Sequence, residues 1–154
     1  MRKQLVIMGV CLLFITLCFS GCEELGMKPD YITVVCVIQA NVYLLDKNNN
    51  MLTERPIGLL INVEITKAGG ENYNSERTVT EYGTIGVARC TFKLYKEQDI
   101  EAVLRVQGGY KDFYPVAAVH FKTLTWAEVE SVGFGETYSW MPMFQIGLKN
   151  ETAP

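Results

Sequence analysis

Apolar and polar residues begin to alternate at Tyr31. In the segment 33–45, TVVCVIQANVYLL, the even-numbered residues are all apolar, and their odd-numbered neighbours include Thr33, Gln39 and Asn41. Apolar residues at every second position are typical of a strand with one face in a core and the other in solvent. The segment therefore predicts one long, half-buried strand.

Later segments repeat this alternation, with polar stretches between them. They lie at residues 59–66, 86–95, 100–107, 113–124 and 137–148. The stretch 67–76, KAGGENYNSE, is mostly polar and contains two glycines, so it is expected to be a loop. Thr125 and Glu128 have the spacing of a capping box, which predicts one or two helical turns. About seven short strands with almost no helix predict an all-β, antiparallel β-sandwich, with a small barrel as the alternative.

The order of turn residues and strands also resembles a known architecture. Pro56 precedes one predicted strand, the turn TEYG (80–83) precedes another, and Gly-Tyr (109–110) follows a third. Over roughly residues 31–115 this order resembles the Ig-like and prealbumin-like sandwich modules of surface proteins, including carboxypeptidase regulatory domains. The Trp and Tyr that accompany the cysteines of a true immunoglobulin domain are absent from the corresponding positions. The resemblance therefore implies an architecture and not membership of the immunoglobulin family.

The start of the chain follows a different pattern. Arg2 and Lys3 precede an uncharged apolar stretch, 5–19, which ends in Ser-Gly-Cys at Cys22. Fifteen helical residues rise about 22 Å, short of the roughly 30 Å of a hydrocarbon core, so the pattern favours a secretory signal. The Ser-Gly-Cys ending resembles the lipobox of bacterial and archaeal lipoproteins. This resemblance implies removal of residues 1–21 and attachment of lipid to Cys22.

We expect the rest of the chain to be organised around that anchor. A tether at 22–30 would lead into one β-sandwich domain at 31–149, followed by a flexible tail at 150–154. The membrane partner would be bound through lipid on Cys22, and the domain would lie on the extracytoplasmic face of the cell membrane. An uncleaved anchor helix and ordinary secretion are the alternatives.

The charge balance excludes one class of partner. Beyond residue 22 the chain carries 12 basic and 17 acidic residues, a formal net charge of −5. A mildly acidic domain without a basic stripe has no electrostatic attraction for a phosphate backbone. We therefore expect no nucleic acid partner.

The five cysteines divide into two groups. Cys11 and Cys18 lie within the predicted signal and Cys22 is assigned to lipid, which leaves Cys36 and Cys90. Both of these fall on the apolar sides of predicted strands, an orientation suited to a bridge between two sheets. We predict a disulfide between them, because exported domains commonly form disulfides; two buried thiols are the alternative.

The sequence contains no recognisable catalytic group. His120 is the only histidine, and it is expected on the polar side of its strand, opposite Val119 and Phe121. One histidine cannot supply a histidine-rich zinc site, and no G-x-S-x-G motif accompanies it. We therefore predict that the protein is not an enzyme and uses no cofactor.

One loop resembles the beginning of a calcium site. Asp46, Asn48 and Asn50 occupy the first, third and fifth positions of such a loop, but Met51 stands where the glycine is required. Residues of this kind also favour tight turns by themselves. We predict a turn here and no metal site.

Aromatic residues offer the best candidate for recognition. Tyr110, Phe113 and Tyr114 lie in a predicted loop, 108–115, and Trp140 lies in the last predicted strand. Rings with polar tips are common on binding surfaces, and loops at the end of a sandwich often carry function. The alternative is that these rings cap the ends of the core.

The sequence thus predicts a non-catalytic binding or structural module of the cell envelope. Its partner would be an envelope protein or a glycan. A small barrel that carries an apolar ligand is the first alternative, and a hydrolase of unfamiliar type is the second.

Overall fold

The computed structural model describes residues 29–150, so the predicted signal, the lipidation site and the last four residues lie outside the described part of the chain. Within residues 29–150 there are nine strands and one short helix. They are β1 (Tyr31–Leu45), β2 (Leu60–Lys67), β3 (Glu71–Thr78), β4 (Ala88–Tyr95), β5 (Ile100–Gln107), β6 (Phe113–Pro115), β7 (Val119–Leu124), α1 (Trp126–Val129), β8 (Thr137–Trp140) and β9 (Met143–Asn150).

The strands form two sheets that pack face to face. The first sheet has the order β4-β1-β9-β6, with β8 paired to the first half of β1, and the second has the order β3-β2-β5-β7. The predicted all-β sandwich is confirmed, and the strands form two sheets instead of closing into a barrel. The strand number is nine because the segment 71–78 is a strand and the segments 113–124 and 137–148 are each divided in two.

Strand β1 follows the predicted alternation along its whole length. Its even-numbered side chains are all at most 1% exposed: Ile32, Val34, Cys36, Ile38, Ala40, Val42 and Leu44. β4 pairs antiparallel with one edge of the first half of β1, while β8 and β9 pair in parallel with the opposite edge. The parallel pairing departs from the purely antiparallel sheet that was predicted. Pro142 lies between β8 and β9. The predicted strand 137–148 is interrupted there because proline has no backbone N–H to donate to a ladder.

Most of the expected loop 67–76 belongs to the edge strand β3, Glu71–Thr78. It forms an antiparallel hairpin with β2, joined by Gly69 and Gly70 at φ values of 105° and 96°. Only alternate side chains of β3 are half-buried, and among them Arg77 Nη2 donates to the Tyr73 hydroxyl at 3.1 Å. Because this edge strand covers the core with polar side chains, its sequence lacks the apolar alternation that marks the other strands.

Strand β7 presents the opposite face from the one predicted. Val119 and Phe121 are exposed, whereas His120 is half-buried and pairs with the buried Leu104 of β5. The His120 ring nitrogen Nε2 lies 2.9 Å from the Ala117 carbonyl oxygen. The prediction that His120 lies on the polar side was wrong, because the register with β5 decides which side of an edge strand faces the core.

The predicted bridge between the two sheets was also wrong in its placement. Cys36 and Cys90 are direct partners in the antiparallel ladder of β1 and β4, so both lie in the first sheet. They are free thiols in this structure. Alternation showed that both cysteines face inward, but it could not show that their strands are neighbours.

The helix α1 begins as the capping-box spacing predicted. The Thr125 backbone N–H donates to Glu128 Oε2 at 2.7 Å, and the Thr125 hydroxyl donates to the same oxygen at 2.8 Å. These two donors hold the pKa of the Glu128 carboxyl below its usual value. The helix spans only four residues. Between residues 29 and 150, no helix has the length and apolar character needed to cross a membrane.

One charged side chain links the two sheets from inside the sandwich. Lys67, at the end of β2, is only 4% exposed and donates from Nζ to the Lys93 carbonyl of β4 at 2.8 Å. The same ammonium lies 2.8 Å from the Glu71 carboxylate and 5.3 Å from the centre of the Tyr95 ring. The ammonium is therefore satisfied on all sides, as a buried charge must be.

Replacing Lys67 with alanine should lower the free energy of unfolding by about 2 kcal/mol, because the Lys93 carbonyl loses its donor and the packing over Tyr95 is lost. The matched control, Glu71→Gln, keeps an oxygen acceptor beside the buried ammonium and should cost less, about 1 kcal/mol. Urea unfolding of both variants measures the difference. Equal losses would contradict a role for the link between the sheets.

Candidate functional site

The four predicted recognition residues do not form one surface. Tyr110, Phe113 and Trp140 are partly buried and pack against the core, whereas Tyr114 is 54% exposed. Trp140 is the ladder partner of Cys36 on β1. Tyr114 lies at the far end of the sheet, because it pairs with Lys149 of β9, and Lys149 pairs with Leu45 of β1. Nine residues of strand separate these positions along β1, about 30 Å. These placements favour the alternative that most of the rings cap the core.

The loop that carries Tyr110 is clamped to a neighbouring loop by Glu54. The backbone groups of Tyr110 and Phe113 hydrogen-bond to each other at 2.9 Å in both directions, which closes a tight turn. The Tyr110 hydroxyl donates to Glu54 Oε1 at 3.3 Å, and the Lys111 ammonium pairs with the same oxygen. The Lys111 hydrogen bond is the main reason why the pKa of Glu54 is lowered, and the pKa of Lys111 is raised in return.

A strip of amide side chains runs across the outward face of the first sheet. Since the even positions of β1 face the core, Gln39, Asn41 and Tyr43 face away from it. Asn41 is the ladder partner of Gln145 on β9, and Gln39 is the partner of Met143. Three neutral amides are thus collected on adjacent strands, with a tyrosine at one end.

Two adjoining cavities lie along this strip, with volumes of about 220 and 160 Å³. Asn41 lines both of them. We call this surface the outer groove: its floor is Gln39, Asn41, Tyr43 and Gln145, and its walls are Met51, Arg55, Tyr82 and Val87. Each cavity is smaller than the 300–1,000 Å³ that encloses a whole small molecule, so the groove suits one part of an extended ligand.

One wall of the outer groove is a turn folded onto the free edge of β1. The ladder with β4 ends at Ile38, and beyond it Val42 N–H donates to the Gly83 carbonyl at 2.7 Å. Gly83 has a φ of 73°, and a Cβ placed on it would lie 3.1 Å from the Val42 carbonyl and 3.0 Å from Arg55 Cδ. A side chain at this position would be crowded and, at this positive φ, strained. The turn glycine that carried the family resemblance therefore brings Tyr82 to the groove.

The other wall follows the asparagine-rich turn. Asp46 Oδ1 accepts hydrogen bonds from the backbone N–H groups of Asn48 at 2.7 Å and of Asn50 at 2.8 Å. The Asn50 side chain donates to Asp46 Oδ2, and this bond is the largest cause of the lowered pKa of Asp46. The predicted turn is confirmed, and Met51 follows it on the groove wall. Among residues 29–150, no cluster of three or more His, Cys, Asp or Glu could hold a metal ion.

The outer groove presents neutral hydrogen-bonding groups beside an aromatic ring. Amide side chains present both donors and acceptors and carry no charge. Tyr82 is 77% exposed, so its ring offers a flat apolar surface beside the amides. Arg55 supplies the groove's cationic side chain, and none of the lining residues is a carboxylate, a histidine or a thiol. Asn41, Tyr82 and Gln145 are far apart along the chain, so no local sequence pattern marks this site.

No protein-family model matches the chain, and a search of curated proteins finds no significant relative.

Gly83→Ala should lower the free energy of unfolding by about 2–4 kcal/mol, because alanine at this positive φ is strained and its Cβ crowds the Val42 carbonyl. Gly58→Ala is the matched control: its φ is 82°, but nothing lies within 4 Å of the added Cβ. It should cost only about 1 kcal/mol. Chemical denaturation compares the two variants, and an equal cost would show that contact with β1 is unimportant.

The Glu54 clamp should weaken in acid. A carboxyl whose pKa is lowered in the folded state stabilises that state above its ordinary pKa of about 4.3, and this contribution is lost as the pH falls through the lowered value. Carboxyl ¹³C NMR should show a Glu54 midpoint below the ordinary value. Lys111→Met should move that midpoint upward, because the main cause of the shift is removed. A midpoint that does not respond to Lys111→Met would refute the clamp.

Proposed function

We propose that this protein is a lipid-anchored, non-catalytic binding module on the extracytoplasmic face of the cell membrane, and that the outer groove holds an extended, uncharged glycan of the cell envelope. The observation that carries the proposal is the pairing of Asn41 with Gln145 beside the exposed ring of Tyr82. The anchoring part rests on the apolar start of the chain and on Ser-Gly-Cys at Cys22.

A sugar chain offers what the residues of the outer groove can bind. Its hydroxyl groups both donate and accept hydrogen bonds, which matches the amides of Gln39, Asn41 and Gln145. Its rings have apolar C–H faces that pack on aromatic side chains, and Tyr82 and Tyr43 provide such side chains. Two small cavities in a row accommodate successive rings of a polymer.

The same lining supports binding over turnover. Hydrolysis of a glycosidic bond ordinarily requires two carboxyl groups held across the substrate, one of them able to donate a proton. The lining of the outer groove supplies amides, rings and Arg55. A ligand in this groove would therefore be held without being cleaved.

The position of the outer groove along β1 suits a ligand above the membrane. The tether between Cys22 and Tyr31 can reach at most about 30 Å when fully extended. β1 begins at Tyr31, and the groove floor starts eight residues later at Gln39, about 26 Å along the strand. The groove therefore lies on the half of β1 that is farther from the tether.

Binding of oligosaccharides by the full-length protein tests the proposal. The protein, reconstituted in liposomes, is applied to an array of neutral and N-acetylated oligosaccharides of four to six rings. We expect binding that weakens about tenfold in Tyr82→Ala and in Asn41→Ala, the loss typical of a central contact. Tyr114→Ala, which removes an exposed tyrosine outside the groove, is the matched control and should bind like the wild type.

The alternative outcomes separate the candidate sites. If Tyr114→Ala weakens binding and Tyr82→Ala does not, the ligand binds at the aromatic loop 108–115 instead. If the wild type binds none of the neutral oligosaccharides, the glycan proposal is wrong.

An envelope protein is the second candidate for this face. Met141 and Met143 are exposed next to the outer groove, and methionine-rich surfaces adapt to varied partners. A photo-crosslinking residue at Met143 in intact cells would report on it. A discrete crosslinked polypeptide, together with no binding on the oligosaccharide array, would favour the protein partner.

A further inference from the structure

We propose that Cys36 and Cys90 form a disulfide within the first sheet, made by exchange with a thiol oxidase that carries its own reactive disulfide. The oxidised form would covalently join β1 to β4. The inference rests on the extracytoplasmic location proposed above, because disulfides persist in oxidising compartments.

The register of the first sheet places the two cysteines for this bond. Cys36 and Cys90 are opposite one another in an antiparallel ladder. Directly opposed residues have Cα atoms about 4.5–5.5 Å apart, within the roughly 4.4–6.8 Å span of disulfides. Both side chains lie on the inner face and belong to the same apolar cluster. A bond can therefore form without movement of the strands.

The two thiols differ in pKa and in access to solvent, and stepwise exchange requires one accessible, more acidic thiol to react first. The Cys36 thiol donates a hydrogen bond to the Cys90 sulfur, which lowers the pKa of Cys90 and raises the pKa of Cys36. Burial raises the pKa of Cys36 further. Cys36 is fully buried, whereas Cys90 is half-buried and can be reached from solvent. Cys90 is therefore the attacking thiolate and Cys36 the resolving thiol.

The reaction balances in two exchanges. The Cys90 thiolate attacks one sulfur of the oxidase disulfide, forming a mixed disulfide and releasing one oxidase thiolate. Cys36 then loses its proton and attacks the Cys90 sulfur, which breaks the mixed disulfide and releases the second thiolate. Cys36 and Cys90 lose two protons and two electrons in total, and the oxidase disulfide is reduced to a dithiol.

The loop that the bond closes carries every residue of the outer groove except Gln145. The loop between Cys36 and Cys90 contains β2 and β3, and it contains all four wall residues of the groove. Closing a loop of this length restricts the unfolded chain much more than the folded one. The oxidised protein should therefore melt about 10 °C higher than the reduced protein.

Peptide mapping of the full chain tests the proposal. Native membranes are lysed in denaturant that contains N-ethylmaleimide, so that every free thiol, including the buried Cys36, is blocked. The protein is then digested with proteases that cut before Asp and after Lys or Arg. We expect residues 30–45 joined to residues 90–93, and their separation on reduction. In Cys90→Ser the Cys36 peptide should instead carry the maleimide. If this variant does not fold, the wild-type linkage and its loss on reduction still decide the question.

A second experiment distinguishes failure of the disulfide proposal from failure of the proposed extracytoplasmic location. Purified, reduced full-length protein is incubated with oxidised glutathione and mapped in the same way. One outcome is that glutathione links the two cysteines in the purified protein, although both carry maleimide in native membranes. This outcome would support the disulfide site and count against the extracytoplasmic location. If the two cysteines carry maleimide in native membranes and do not link with glutathione, the proposal is overturned.

Discussion

The fold depends on the pairing of β1 along both of its edges. This 15-residue strand buries its even-numbered side chains between the sheets and is bonded to β4 on one edge and to β8 and β9 on the other. Apolar burial supplies the main favourable term, and the ladders satisfy the backbone groups that burial removes from water. The first sheet is therefore organised around β1.

The outer groove is a consequence of unequal strand lengths. β4 has eight residues and leaves the edge of β1 at Ile38, so the second half of β1 needs other partners on that side. The turn at 80–85 supplies them through Val42 and Ala40, and Leu52 N–H donates to the Leu44 carbonyl. Because these partners are turns and not a strand, they stand beside the sheet as walls and leave a depression over Asn41. The same turns thus satisfy the backbone hydrogen bonds of β1 and form the walls of the groove.

The groove and the cysteine pair belong to the same strand. Cys36 lies on the inner face of β1, two residues before the ladder with β4 stops at Ile38, and Asn41 lies on the outer face three residues beyond that point. A bond at Cys36 would hold β4 to β1 at that point. It would also restrict the turn at 80–85, which directly precedes β4 along the chain. The proposed ligand site at Asn41 and the proposed bond at Cys36 therefore lie five residues apart on one strand.

The alternation in the sequence determined much of the architecture. It identified the buried face of β1, the two-sheet sandwich and the inward position of both cysteines. Local chemistry also identified the capping box at Thr125 and the turn at Asp46. These features depend on residues close together along the chain, whose hydrogen bonds and periodicity can be read directly.

Only the tertiary structure decided which strands are neighbours. A period of two shows that a residue faces the core, but it does not show which strand lies beside it. The parallel pairing of β1 with β9, the edge strand β3, the orientation of His120 and the pairing of Cys36 with Cys90 all depend on register between distant segments. The outer groove depends on such register as well, because it joins Asn41, Tyr82 and Gln145 from three separate parts of the chain.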